Sequence, residues 1–574
     1  MIKHFFSKLK KVRCKSSSFK TYAGNIKQTG VIVLLKMKQI LVPLLTLTFS
    51  VSAWFFQPAV SYGLDTADFL KTSGIQIKNA GGTGAVVSLR GTNLGGWLLQ
   101  ENWMSPLGCT DEWTLRETLT NRFGEATKES LINTYQSTWL QTSDLDNLKN
   151  LGMNFVRVPI LYLDLMDKWG NWKADPWSKL DWLVSECSSR GIYVLLDLHG
   201  TFGGQNTFDN CGEANSDPQL WKNTLYQDRT VTLWQGIAAH FKGNPAVAGY
   251  DLLNEPANVG KEQLNSFYNR LYQAIRAVDP DHIIFMEAAW DWNQLYAPSV
   301  YGWTNIVYEM HYYAMSGSQA SDWNAQNNLI NSALQGIREH QASWNVPVFA
   351  GEFCVFGFND LWEKFLSNFN ALNVSWTNWT YKVTANYGNW GYFNNNPNSV
   401  PDIYNDSANT IATKWQKFST ANFTANTAFQ NLVKKYAAAP ITNQYVYLRS
   451  RANNNIICAE NYGNDPLVAN RAAVGNWELF QLITNADGTI SLLSQINNKY
   501  VCADLNQGAK LIARSDSIQQ WEKFQKVDLS DGTVALLALA NNQYVCTDLD
   551  NGAVLIANRA AVGGAWEAFT ITAQ

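Results

Sequence analysis

The chain has 574 residues, which is enough for more than one domain. Apolar residues make up 46% and charged residues only 16%, and outside residues 1–61 the 34 basic and 47 acidic residues give a net charge of −13. This acidic body argues against a nucleic-acid-binding protein, which needs a basic surface for phosphates. The 24 tryptophans and many uncharged polar residues suit a surface that contacts sugars, although they suit other secreted proteins equally well.

Residues 1–61 are predicted to be a leader with a secretory signal peptide. They contain ten basic residues and no acidic one; lysines flank Met37, and an apolar stretch then runs to about residue 56. Ala59-Val60-Ser61 has the small-x-small pattern of a cleavage site, so we expect cleavage after Ser61 and a secreted protein. A signal anchor is the alternative, because the apolar run approaches the length that spans a bilayer. Residues 1–36 fit neither interpretation, which suggests Met37 as the true start. No later segment is apolar enough to predict membrane association after cleavage.

From about residue 80 to residue 420, strand-like and helix-like segments alternate. Eight strands alternating with helices predict a (β/α)8 barrel, a TIM barrel of the α/β class. A doubly wound open sheet is the alternative, but no glycine-rich phosphate loop follows the first strand. The predicted strands are Val87–Asn93, Phe155–Ile160, Tyr193–Leu198, Val247–Leu253, Ile283–Glu287, Ile306–His311, Val346–Gly351 and Val374–Thr380. The predicted helices are Asp144–Leu151, Leu180–Arg190, Thr230–Phe241, Glu262–Val278, Asn327–His340 and Asp360–Leu372.

Two domains joined by a linker are therefore predicted after the leader. Residues 62–420 are the predicted barrel and residues 421–440 a linker containing one helix. Residues 441–574 contain three repeats in which Cys458, Cys502 and Cys546 recur every 44 residues. Asn-Gly and Asp-Gly turns punctuate these all-β repeats, and the pattern predicts a β-trefoil. Core packing is the favoured role for the tryptophans that close the repeats, and glycan binding between repeats is the alternative.

The eight cysteines are too few to build a disulfide scaffold at this length. Cys109 and Cys211 could form a disulfide, and most of the others are expected to be buried thiols. No C-x-x-C pair or Cys/His group has the spacing of a zinc site, so neither a metal nor a cofactor is predicted.

Two glutamates are predicted at the carboxyl ends of two parallel strands. Glu255 follows the apolar run Tyr250–Leu253 and precedes Pro256, which cannot continue a strand ladder. Glu352 follows a second apolar strand about a hundred residues later. Glycoside hydrolysis needs two such carboxyl groups on either side of a sugar, so the pair predicts a glycosidase.

Several motifs support that prediction, and they follow one another along the chain in the order of a known family. They are Arg90–Leu98, Phe155–Pro159, Asp197–Gly200, Gly203–Asn210, Leu253–Pro256, His311–Tyr313 and Gly351–Phe353. Together they resemble glycoside hydrolase family 5, and within it the exo-β-1,3-glucanase branch. The C-terminal repeats resemble the fascin-like β-trefoil.

The family resemblance implies a retaining mechanism with Glu255 as acid/base and Glu352 as nucleophile. Carboxyl groups of a retaining pair lie ~5–5.5 Å apart. Glu255 must start protonated, so its pKa must be raised, in part by the neighbouring carboxylate. Glu352 must stay ionised and needs hydrogen-bond donors. Arg157 is expected to be one of them, because an arginine within an apolar strand is unfavourable without a carboxylate partner.

The other predicted substrate-binding residues also lie near strand ends. Asn254 is expected to bond the 2-hydroxyl of the sugar, a contact that strengthens in the transition state. His199 is expected to contact the substrate, and Trp379 to provide a flat floor for the reacting sugar. Glu287 and Asp291 suit sugar binding and loop solvation equally well.

Two further predictions concern the nucleophile and the chain end of the substrate. His311 and Tyr313 are expected to orient and tune Glu352. Glu101 matches a glutamate that binds the terminal sugar in the exo-acting branch. Asn102 stands where that branch usually has proline, which weakens the case for a closed exo-type pocket.

The predicted function is a secreted, monomeric, retaining β-glycoside hydrolase that cleaves β-glucan, β-1,3-linked glucan first. An endo-acting β-glucanase or mannanase of the same family is the enzymatic alternative. A non-catalytic glycan-binding protein and a trefoil-based adhesin are alternatives from other classes, but the presence of both glutamates disfavours them. The predicted partners are a polysaccharide or oligosaccharide substrate and a glycan on the trefoil, with no nucleic acid.

Overall fold

The computed structural model describes residues 63–385, 388–394, 399–438, 445–485, 488–497 and 499–573. The predicted leader therefore lies outside the described residues. Within the described ranges, no helix combines the length and the apolar character needed to cross a membrane.

Eight parallel strands close into a barrel, which confirms the predicted (β/α)8 fold. The last strand pairs with the first, with Trp376 opposite Arg90, so the sheet has no free edge. In chain order, strands β1 to β8 are Arg90–Asn93, Phe155–Leu161, Tyr193–Gly200, Val247–Asp251, Ile283–Ala288, Ile306–Tyr312, Val348–Phe353 and Ser375–Asn378.

Helices surround the barrel, including all six that the sequence pattern predicts. Two helices between β1 and β2, Glu112–Phe123 and Glu125–Trp139, were not predicted. The buried face of the first carries Glu112 and Arg116, which form an ion pair 3.0 Å long, so its apolar periodicity is weak. The remaining helices are Thr142–Asn150, Tyr162–Leu165, Ser178–Ser189, Thr224–Phe241, Lys261–Arg276, Trp323–Trp344, Asn359–Ala371, Ala408–Trp415 and Thr427–Ala437.

The interior of the barrel is apolar at its amino-terminal end and charged at its carboxyl end. An N-terminal hairpin of strands Lys71–Ser73 and Gln76–Lys78 covers the apolar end, where Leu70 and Ile77 pack on the interior residues. Side chains two positions apart on a strand share a face, so each apolar inward residue is followed by a second inward residue nearer the strand end. These pairs are Phe155 and Arg157, Leu195 and Asp197, Phe285 and Glu287, and Val307 and Glu309.

The C-terminal domain is all β, with twelve described strands in one sheet. Its first strand, Tyr445–Ser450, pairs with its last, Phe569–Ala573. Two equivalent hairpins each shift register after their first residue pair, at Tyr500 and at Tyr544, so the 44-residue repeat is also a repeat of structure. The other strands are Ile456–Cys458, Val468–Arg471, Phe480–Thr484, Ile490–Ser494, Tyr500–Asp504, Lys510–Ser515, Phe524–Asp528, Val534–Ala538, Gln543–Asp548 and Val554–Arg559.

The tryptophans that close the repeats do not pack in the core of this domain, contrary to the favoured expectation. Trp477, Trp521 and Trp566 are all half-buried and lie outside its core cluster. The glutamate after each tryptophan is buried instead, because its carboxylate accepts hydrogen bonds from backbone N–H groups of the preceding turn. These glutamates are Glu478, Glu522 and Glu567.

Helix Thr427–Ala437, which falls in the predicted linker, packs into the barrel core through Phe429, Leu432 and Val433. The ring of Phe429 stacks on Tyr392 with centroids 5.0 Å apart. The seven cysteines of the described chain are free thiols, so Cys109 and Cys211 are not joined.

Candidate active site

The two predicted catalytic glutamates meet in one cavity of about 700 Å³ at the carboxyl end of the barrel. Glu255 lies just beyond β4 and Glu352 near the end of β7. His311 links them, because its Nδ1 atom lies 2.9 Å from Glu255 Oε1 and 3.5 Å from Glu352 Oε2. His311 was expected to tune Glu352, yet its shorter contact is with Glu255.

Both oxygens of the Glu352 carboxylate accept a hydrogen bond. The Nη1 group of Arg157 donates to Oε1 over 2.9 Å, and the hydroxyl of Tyr313 donates to Oε2 over 2.9 Å. Glu352 is only 5% exposed, so these donors replace water around its carboxylate. The structure thus brings both expected donors to the predicted nucleophile.

Arg157 is fully buried and lies among more carboxylates than it can neutralise. Besides Glu352, it contacts Asp197 at 3.1 Å, Asp251 at 2.8 Å and Glu309 at 3.1 Å. Burial raises the pKa of Asp197 to about 7 and that of Asp251 to about 6, with the charge of Arg157 opposing both shifts. This layer of acids below the catalytic pair was not predicted. The signal was available, since most of these acids share the inward parity of the apolar residues before them.

Glu255 is held by its side chain and by its backbone. Asn210 donates to Glu255 Oε2 over 2.6 Å, and the backbone N–H of Glu255 donates to Glu287 over 2.8 Å. Burial raises the pKa of Glu255, while the charge of His199 and the hydrogen bond from Asn210 lower it. The raised pKa suits an acid catalyst, although burial rather than a neighbouring carboxylate is its main cause.

Asn254, His199 and Trp379 lie beside this pair. Asn254 accepts a hydrogen bond from Arg157 through Oδ1, while its buried Nδ2 has no partner among the described residues and is free to donate to a sugar. His199 contacts Asp197 at 2.7 Å, and burial lowers the pKa of its imidazole to about 4. Its ring stacks on Trp379 at 5.4 Å, and both rings line the cavity.

Glu101 also lines the cavity and accepts a hydrogen bond from Trp103 over 2.8 Å. Burial raises its pKa well above the ordinary value, and the charge of Asp209 adds to the shift. The mouth carries two exposed aromatic residues, Phe208 and Trp290, whose rings lie 6.3 Å apart. Neither was predicted, because among so many aromatic residues only the fold shows which loops meet at the mouth.

The two acids whose role the sequence left open have structural contacts. Glu287 is fully buried and fixes the backbone of Glu255. Asp291 accepts a hydrogen bond from the backbone of Asn293 and begins a short 3-10 turn. Among the described residues, two groups are close enough to hold a cation, and in the deeper one Arg157 already contacts all three acids. The groups are Glu255, Glu287 and His311, and Asp251, Glu287 and Glu309.

Sequence comparison relates the chain to known glycosidases. Residues 120–385 match the model of the family described as Cellulase (glycosyl hydrolase family 5). The chain is 29% identical over 341 residues to "Beta-xylosidase" of Phanerodontia chrysosporium, a match that covers 55% of this chain and 71% of that protein. It is 27% identical over 315 residues to "Probable glucan 1,3-beta-glucosidase A" of Aspergillus niger, covering 52% and 72% respectively. Among solved structures, a rutinosidase from Aspergillus niger aligns with a TM-score of 0.44 and 19% identity over 57% of this chain and 98% of that chain.

Proposed function

Because residues 120–385 match the glycosyl hydrolase family 5 model, we propose that this glycosidase cleaves β-glucan, β-1,3-linked glucan first, with retention of configuration. The observation that carries this proposal is the placement of Glu255 and Glu352 in one cavity, joined by His311. The similarity to the probable glucan 1,3-beta-glucosidase supports the choice of substrate.

In the first step, Glu352 attacks the anomeric carbon, and the glycosidic C–O bond breaks. Glu255 gives its proton to the departing oxygen, so the leaving sugar departs as a neutral alcohol. In the second step, Glu255 takes a proton from water, the water oxygen bonds to the anomeric carbon, and Glu352 is released as a carboxylate. The free Nδ2 of Asn254 would donate to the 2-hydroxyl in both steps.

Glu101 supports action at a chain end. Its carboxylate lines the same cavity as both catalytic glutamates and would accept hydrogen bonds from the hydroxyl groups of a terminal sugar. An endo-acting β-glucanase or mannanase needs an open groove at this position instead. The similarity to a beta-xylosidase keeps a xyloside as a third possible substrate.

The C-terminal domain is proposed to be a fascin-like β-trefoil that binds glycan. The half-buried tryptophans of its repeats favour this role, since sugars stack on partly exposed aromatic rings. In the first repeat the ring of Tyr462, which is 61% exposed, lies 5.0 Å from the ring of Trp477. The whole protein is proposed to be secreted and monomeric.

The deciding experiment is product analysis of residues 62–574 on laminarin, pustulan, barley β-glucan, carboxymethylcellulose and mannan. Early release of glucose alone from laminarin, lost in Glu352→Gln and kept in Glu339→Gln, is the expected result. Glu339 is an exposed helical residue outside the cavity, so it controls for the loss of one carboxylate. Mixed oligomers from another polymer would keep the mechanism and overturn exo-β-1,3-glucan hydrolysis. No activity on any polymer would contradict the proposal as a whole.

A second variant separates the two glutamates. Glu255→Gln should still form the glycosyl-enzyme from an aryl glucoside whose leaving group needs no protonation, whereas Glu352→Gln should not. A burst of phenol from the first variant and none from the second would assign the two roles. The opposite pattern would exchange the roles.

A further inference from the structure

A second cavity of about 420 Å³ lies where the barrel meets the C-terminal domain. The tip of the N-terminal hairpin at Gly74 and the last turns of helix Trp323–Trp344 form its barrel side, and the turn Leu493–Ile496 forms the other side. The hairpin covers the amino-terminal ends of the barrel strands. The cleft is therefore on the opposite end of the barrel from Glu255 and Glu352.

Three polar side chains of this cleft have buried atoms with no hydrogen-bond partner among the described residues. Gln341 is 6% exposed, and its Nε2 forms no hydrogen bond with any described residue. Ser494 is 0% exposed with an unpaired Oγ, and the Oε1 atom of Gln495 is likewise buried and unpaired within the described chain. Buried polar atoms are normally paired, so these groups present a ready N–H donor, a hydroxyl and a carbonyl acceptor to a ligand.

The cleft is also positively charged. Arg338 and Lys78 line it, and no described aspartate or glutamate does. Neither cation has a hydrogen bond or ion pair with another described residue. Burial lowers the pKa of Arg338; the adjacent Glu339 opposes this shift, but it does not line the cleft and accepts a hydrogen bond from Gln335.

We infer that this cleft binds a sugar residue that carries a carboxylate, that is, a uronic acid in a glycan. The carboxylate would face Arg338 and Lys78, and the ring hydroxyls would pair with Gln341, Ser494 and Gln495. A guanidinium is well suited to this role, because its planar N–H groups match the two oxygens of a carboxylate. The cleft volume falls within the ~300–1,000 Å³ of typical small-molecule sites. An enzyme held at this end by an acidic glycan would keep its catalytic cavity open to another chain.

The test is calorimetric titration of residues 62–574 with D-glucuronic acid, using D-glucose as the neutral control. We expect glucuronate to bind and glucose not to bind at this site. Arg338→Ala and Gln341→Leu should each weaken glucuronate binding at least tenfold, whereas Glu352→Gln should leave it unchanged. Arg190→Ala removes a positive charge just after helix Ser178–Ser189, where Arg190 pairs with Asp146, and should also leave glucuronate binding unchanged.

Thermal melting of each variant separates loss of the site from loss of the fold. Equal binding of glucose, unchanged binding in folded Arg338→Ala, or equal weakening by Arg190→Ala would overturn the inference. Hydrolysis of laminarin by Arg338→Ala should match that of the unmodified chain. Failure of the unmodified chain to hydrolyse laminarin, with its glucuronate binding intact, would instead count against the proposed function alone.

Discussion

Contacts with opposite effects determine the pKa of the Glu255 carboxyl group. Burial raises the pKa of this carboxyl, and the hydrogen bond from Asn210 lowers it because the amide N–H stabilises the charged form. Asn210 is half-buried, and its Oδ1 has no partner among the described residues. Its side chain can therefore be shortened without breaking another contact.

Asn210→Ala should move the alkaline limb of the kcat/KM profile to higher pH. Without the donor, the charged form of Glu255 loses stabilisation, its pKa rises, and the acid keeps its proton to higher pH. A hydrogen bond to a charged group contributes ~1.5–3 kcal/mol and one pKa unit corresponds to about 1.4 kcal/mol, so we expect a shift of about one to two pH units. The pH dependence of kcat/KM on laminarin measures it, with the exposed Asn293→Ala as the control. An alkaline limb that stays in place would contradict the assignment of Glu255 as the acid.

The strand-end residues of the site could be predicted, but the acids below them could not be placed. Glu255 and Glu352 are predictable because each one ends an apolar run. Strand parity with Val307 indicates that Glu309 points inward, but whether it lies beside Arg157 depends on the register of the neighbouring strands. The pairing of β6 with β7 shifts between Met310 and His311. Such a shift follows from the packing of the whole barrel and leaves no mark in the local sequence.

At the scale of single elements, β7 passes close to the buried acids around Arg157. A Cβ atom on Gly351 would lie 1.7 Å from Oε1 of Glu309. Glycine at this position therefore avoids a clash with the Glu309 side chain that any larger residue would make. The clash explains why the motif Gly351–Phe353 begins with glycine, although Gly351 contacts neither the carboxylate of Glu352 nor the cavity.

Gly351→Ala should destabilise the barrel and lower its activity. The added methyl group would displace Glu309, and overpacking of this kind lowers the free energy of unfolding by ~1–3 kcal/mol. Gly357→Ala is the matched control, since a Cβ there would meet nothing within 4 Å. Chemical denaturation of both variants measures the difference. Equal stability of the two would show that Glu309 is not fixed against β7.

At the scale of the whole molecule, the barrel domain extends beyond residue 420, where the sequence pattern predicts that it ends. The polar residues around helix Thr427–Ala437 gave it the appearance of a linker. Its buried face nevertheless joins the barrel core, and the backbone carbonyl of Tyr436 accepts a hydrogen bond from Arg90 in β1. The helix is therefore part of the structural unit that carries the site.

Removal of this helix should destabilise the catalytic domain, whereas removal of the β domain alone should not. Residues 62–420 lose the burial of Phe429, Leu432 and Val433, and each fully buried apolar side chain contributes ~1.5–3 kcal/mol. Residues 62–438 keep that burial. Thermal unfolding and laminarin hydrolysis of the two truncated chains give the comparison. A chain ending at residue 420 that melts at the same temperature as the longer one would contradict this view of the domain boundary.

The β domain is closed by pairing Tyr445–Ser450 with Phe569–Ala573, its first and last strands. During synthesis, the ribosome therefore completes the barrel while the β domain still lacks its final strand. At translation rates of ~5–20 residues per second, the unfinished repeats wait on the order of ten seconds with their apolar faces exposed. Chaperones have that interval in which to act.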